Sequence, residues 1–245
     1  MTTTNIHRSF VHFHSSYLFE LASKEQKDGR GVPCAIMSAA AIEALPSDIA
    51  LSLHARQGFE KAIRDESNQK RDIWGRKKPE FVVSTMERLS PMEESFADTI
   101  KKLTAQKRSG LDQYYVLDGL LRGEARDSAD SKDKKAAWKA TLLKGVSELF
   151  ELRNAIVHRG GSELLFDNGG TLVNESSALP PPLMALKEVL DVDTAGSQCS
   201  GWLGLIDTPA LAGWSLDVAK SFINRTLQTL PDGPGFRDLK RDAKL

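Results

Sequence analysis

Cysteine is scarce in this chain: Cys34 and Cys199 are far apart, and no C-x-x-C pair exists. A disulfide framework and a cysteine-built zinc site are therefore not expected, and the usage fits a reducing compartment, so the expected setting is cytoplasmic. Aromatic residues make up 7% of the chain. No uninterrupted run of apolar residues reaches the roughly 18 that mark a membrane span, so none is expected. The polar stretch Met1 to Asn5 lacks the apolar centre of a signal peptide. An excess of either charge is also missing: Lys plus Arg and Asp plus Glu number 33 each. A globally basic footprint for nucleic acid is thus absent, and any such contact must rest on local basic patches. Walker loops, dinucleotide fingerprints and G-x-S-x-G elbows are missing too, so no cofactor is expected. His12 and His14, with His7 nearby, have no partner cluster of carboxylates or cysteines, so no metal is expected.

What is present is helical. Hydrophobic residues at 40% support a core. A short helix is expected over 15–24, with Ser16 a possible N-cap, and Gly29-Arg30-Gly31 ends it. Pro33 opens an alanine-rich helix through Leu45. Pro46 should interrupt or kink it, with helical character resuming from Ile49 toward Arg64. Residues 65–78 are polar, carrying Lys70, Arg71, Arg76, Lys77 and Lys78 around Trp74. That stretch reads as a solvated surface, or as an RNA-contacting segment in which Trp74 stacks on a base beside Arg76 and Lys77. Further helices are expected over 91–107 and 110–121, and a solvated loop over 124–135.

The strongest helical pattern runs over about 133–159, with Trp138, Leu142, Val146, Leu149, Phe150 and Val157 at amphipathic spacing. Gly160-Gly161 stops it. The region 162–204 reads as an irregular insertion, with a possible β-hairpin around Asp167-Asn168-Gly169-Gly170. A C-terminal helix follows over about 209–230, and the tail from Pro231 reads as flexible. The expected class is all-α, one domain over 1–245.

Within the strongest helix, Arg153-Asn154-Ala155-Ile156-Val157-His158 places Arg, Asn and His at the C-terminal end. An Arg can stabilise charge on a phosphoryl oxygen while a His moves protons. On a wheel of about 100° per residue, Leu142, Val146, Leu149 and Val157 fall within about 40° of Arg153. Arg153 therefore sits mid-stripe and must find a partner. Glu43, alone among the apolar residues of the alanine-rich helix, is a candidate. Asn154 and His158 are four apart and share a face, so Asn154 could orient the imidazole or contact a phosphate. The plainer reading remains open: Arg153 buried by pairing with Glu43, and His158 favoured by the helix dipole.

The R-N-x-x-x-H segment resembles the motif of the HEPN family, R-x(4–6)-H, at the end of a long helix followed by glycine. The alanine-rich helix with Ala41-Ile42-Glu43-Ala44-Leu45 also resembles an early HEPN helix. The resemblance covers about 15–161 and implies an all-α HEPN-like bundle that cleaves RNA without a metal. It implies that His158 is the general acid or base, that Arg153 holds the scissile phosphate, and that Asn154 orients them. It also implies RNA as partner, a homodimer whose motifs share a cleft, and a toxin–antitoxin or antiphage setting with a cognate antitoxin. In such a dimer the charges of Arg153 and Arg159 would concentrate positive potential in the cleft, which makes Arg159 a candidate RNA contact. Relatives controlled through a Tyr two residues after the His differ here, because that position is Gly160. Two other readings stay open: a non-catalytic HEPN-like module that binds RNA or protein, and a helical interaction protein.

Overall fold

Ser90 starts a helix by local chemistry. Its hydroxyl accepts from the Glu93 backbone N–H at 3.3 Å, and the Glu93 side chain accepts in return from the Ser90 N–H at 2.7 Å. This capping box satisfies two donors that a helix start leaves orphaned, and Pro91 suits the first position because it has no N–H to satisfy. The computed structural model describes residues 13–69, 87–127, 129–142, 145–158, 186 and 202–242. Among them the regular structure is entirely α-helical. The helices are α1 (His14–Lys27), α2 (Gly31–Gln69), α3 (Pro91–Ala105), α4 (Gly110–Arg122) and α5 (Lys132–Lys139). They continue with α6 (Val146–His158), α7 (Trp202–Ile206), α8 (Pro209–Thr229) and α9 (Pro234–Asp242). The all-α class is thereby shown.

The chain divides into two compact units, with boundaries inside α2 at Pro46 and inside α8 after Thr226. The first comprises residues 46–128 and 227–244 with the N-terminal residues 1–13. Its core holds Ile49, Leu53, Phe96, Ile100 and Leu117. Here α3 packs against α4, and α9 is tied down strongly. Phe236 is fully buried and meets Phe96 edge-on at 5.5 Å between ring centroids. Its backbone N–H donates to Glu93 Oε1 at 2.7 Å. Glu93 is itself fully buried, so one carboxyl group caps both its own helix and the start of α9. Arg56 donates to the Pro234 carbonyl and pairs with Asp238 on α9.

The second unit comprises residues 14–45 and 129–226. Cys34, Ala39, Ile42, Leu149, Leu152 and Trp202 are among its buried side chains. The Cys34 thiol lies 3.2 Å from the Ala22 carbonyl and 3.3 Å from that of Ala212, with Ser215 Oγ at 3.5 Å. Burial pushes this thiol's pKa up, outweighing the hydrogen bonds from Ser215 and Ser38 that act the other way. The thiol is a knot joining three helices rather than a reactive group.

Several expectations are corrected. The helix expected over 133–159 is two helices, α5 and α6, with Gly145 at φ +94° before the second. A side chain is disfavoured at that φ, and a Cβ there would also lie 2.7 Å from Val218 Cγ2. Leu142 therefore does not belong to the Arg153 helix. Helix α2 passes through Pro46 without interruption, although Pro46 offers no N–H to the turn before it. Ser16 lies inside α1 rather than capping it. Residues 202–206 are helical, not irregular, and the tail from Pro231 contains α9. The segment Gly31–Gly58 of α2 is long and apolar enough to cross a membrane by length and composition, and most of it is buried inside the protein. Counting unbroken apolar runs overlooks it because Ser, Glu43 and Asp48 are interspersed; a buried core helix meets the same test. The possible hairpin near 167–170 lies outside the described residues.

Candidate functional site

Helix α6 carries the motif on its last turns. Val146, Leu149, Phe150 and Leu152 are buried and orient the helix. On the wheel, Arg153 falls within this buried arc, yet its position near the helix end leaves its side chain 26% exposed. Its guanidinium is held at two points. Nη2 donates to Glu43 Oε2 at 2.9 Å, and Nη1 donates to Asn154 Oδ1 at 2.9 Å. Glu43 comes from α2, where Ala41, Ile42 and Leu45 are buried around it and the carboxylate keeps 29% exposure. Both partners of the ion pair lie in the second compact unit.

An arginine has five N–H donors. The two bonds described use two of them, so three remain for a further acceptor. Such an acceptor meets a guanidinium whose plane is already fixed at both ends. A phosphate matches that planar donor array better than it matches a lysine.

His158 closes α6 and is exposed. Asn154 is exposed as well, and its carbonyl oxygen is engaged by Arg153 rather than by the imidazole. Arg153 and His158 are five residues apart, about 140° around the helix and about 7.5 Å along it. The structure thus joins Arg153, Asn154 and Glu43 directly, and it places His158 on a different flank of the same helix end. Val157, expected on the apolar stripe with Arg153, is 52% exposed. Trp74, Arg76, Lys77 and Arg159 lie outside the described residues.

Other candidate chemistry is weaker. His54 Nδ1 lies 2.9 Å from the Ala50 carbonyl, and Nε2 lies 3.8 Å from Asp98 Oδ1. The first contact uses one ring nitrogen on its own helix, as an ordinary helical histidine does. Among the described residues no group of three or more His, Cys, Asp or Glu is arranged to hold a metal ion. Sequence reasoning missed the basic character of α5, where Lys132, Lys134, Lys135 and Lys139 occur within eight residues in the same unit as Arg153. Its signal was available: Lys132, Lys135 and Lys139 follow a spacing of three and four, which gathers them on one helical face.

Comparison with protein-family models, with curated proteins and with solved structures found no match.

Proposed function

We propose that this chain is a metal-independent RNA endonuclease of the HEPN type, built on Arg153, Asn154 and His158. The observation that carries the reading is a partly exposed guanidinium held by Glu43 and Asn154 on the same helix end as a solvent-accessible imidazole. In the proposed reaction the ribose 2′-oxygen attacks the adjacent phosphorus and gives up its proton to a base. The bond from phosphorus to the 5′-oxygen breaks, and that oxygen takes a proton from an acid. The products are a 2′,3′-cyclic phosphate and a 5′-hydroxyl. His158 supplies one of the proton transfers. Arg153 holds the phosphate and the charge that develops on it.

The angle between Arg153 and His158 favours a homodimer, in which one protomer's Arg153 and the other's His158 approach one phosphate from two sides. Exposed Val157 is available to such an interface. The lysines of α5 add positive charge in the same unit as Arg153, in a chain whose net charge is zero. The proposed setting is the cytoplasm, as a toxin or antiphage effector restrained by a cognate antitoxin.

One observation favours a second reading. Arg153 already has a carboxylate partner, so a non-catalytic module in which the pair only supports the helices is also consistent with the geometry. Purified protein should be incubated with mixed RNA in EDTA, beside Arg153→Ala and His158→Ala. Cleavage leaving 2′,3′-cyclic ends, lost in both variants, supports the nuclease. Binding without cleavage by the folded wild type selects the module.

A further inference from the structure

We propose that Glu43 is a positioning residue for Arg153, and that it sets the balance between turnover and phosphate affinity; this rests on the ribonuclease reading above. Arginine is long, and ordering its side chain costs rotamer entropy. Two acceptors at 2.9 Å hold opposite nitrogens of this one. Asn154 is the adjacent residue on the same helix and moves with Arg153. Glu43 is 110 positions away on another helix, so among the described residues it is the acceptor that ties the guanidinium to an external frame. Buried Ala41, Ile42 and Leu45 hold the α2 backbone beside it.

The tie has two opposing effects. A fixed plane keeps the remaining N–H donors aimed, which favours turnover, because small misplacement in a reacting site can cost about 100-fold in rate. The negative charge of Glu43 meanwhile offsets that of Arg153 and repels an incoming phosphodiester. A glutamine here would keep an acceptor without the charge; alanine or methionine would keep neither. Glu43→Gln and Glu43→Ala thus carry the same charge, and their difference isolates orientation.

The experiment measures kcat and KM on a mixed-sequence RNA, with EDTA present, for the wild type, Glu43→Gln and Glu43→Ala. Glu43→Met, which keeps the side-chain length, replaces alanine if that variant does not fold. Each is assayed well below its melting temperature. Binding of a 2′-O-methyl RNA of the same sequence, which lacks the attacking hydroxyl, is measured in parallel. The expected result is a kcat for Glu43→Gln about tenfold or more above that of Glu43→Ala. Its KM should fall below that of the wild type, which carries the opposing charge, and below that of Glu43→Ala, which leaves the guanidinium unfixed, and the uncleavable RNA should bind Glu43→Gln more tightly than either. Equal kcat and equal binding for the two neutral variants would overturn the proposal and leave Glu43 a structural partner. If the wild type cleaves nothing while binding keeps the order Gln above Ala, the ribonuclease reading fails and the positioning role stands. If the wild type neither cleaves nor binds RNA, both are overturned.

Discussion

Two glutamates, one in each compact unit, show how differently this chain uses a carboxyl group. Glu93 is fully buried and bonded to the backbone N–H groups of Ser90 and Phe236. Glu43 keeps 29% exposure and is bonded to a side chain that is itself 26% exposed. A buried acceptor with backbone donors is a fixed part of the frame, because a buried donor such as the Phe236 N–H has no water to turn to if it leaves. A partly exposed ion pair contributes less to stability, since water still competes for both partners. The first arrangement is what a fold needs, and the second is what a binding site can tolerate.

The sharpest way to break this comparison is Glu93→Ala, which strands two N–H donors beside a fully buried cavity. We expect a loss of about 3 kcal/mol or more, read by chemical denaturation. Gly235→Ala should act on the same region with a smaller effect, about 1–3 kcal/mol. Its Cβ would lie 2.5 Å from Leu53 Cδ2 and 2.7 Å from Leu89 Cδ2. In the second unit, Gly145→Ala meets both an unfavourable φ and Val218, and about 1–3 kcal/mol is expected there too. By contrast, Glu43→Ala should lower stability by under about 1 kcal/mol. A loss as large as that of Glu93→Ala would erase the distinction drawn between the two carboxylates.

The smallest effect concerns pH. Burial raises the Cys34 thiol above its unfolded value. The folded state therefore holds the proton more tightly than the unfolded state. That stability is fully present below the unfolded thiol pKa of about 8.5, and it is lost as pH rises through the folded value. Cys34→Ser should flatten the alkaline side of the stability profile. Native Cys34 should also resist thiol reagents until the protein unfolds.

Elements set by nearby residues were legible in the sequence. The helix expected over 91–107 is observed at Pro91–Ala105, and the one over 209–230 at Pro209–Thr229. Both begin with proline after a hydroxyl residue that caps the first turn: Ser90 in one case, and Thr208, which accepts from Leu211 N–H, in the other. Glu43 stood out as a lone carboxylate on an apolar helix, and Arg153 as a lone cation on an apolar stripe. Elements set by distant contacts were not legible. Nothing near Gly145 announces that Val218 will crowd it. Helix α9 reads as a polar tail until Glu93, Arg56 and Phe96 are seen to hold it. Asn154 likewise looked able to serve His158, but the adjacent guanidinium competes for its oxygen.

The most direct test of the account sets two readings of one variant side by side: the melting temperature and the RNA-cleavage rate of Arg153→Ala. A melting temperature within a few degrees of wild type is expected, since an ion pair that water still reaches is worth about 1 kcal/mol or less. A cleavage rate lower by about 100-fold or more is expected with it, as for removal of a principal transition-state donor. A variant that melts far earlier while its remaining folded fraction cleaves RNA at the wild-type rate would contradict the account, and would make Arg153 part of the frame.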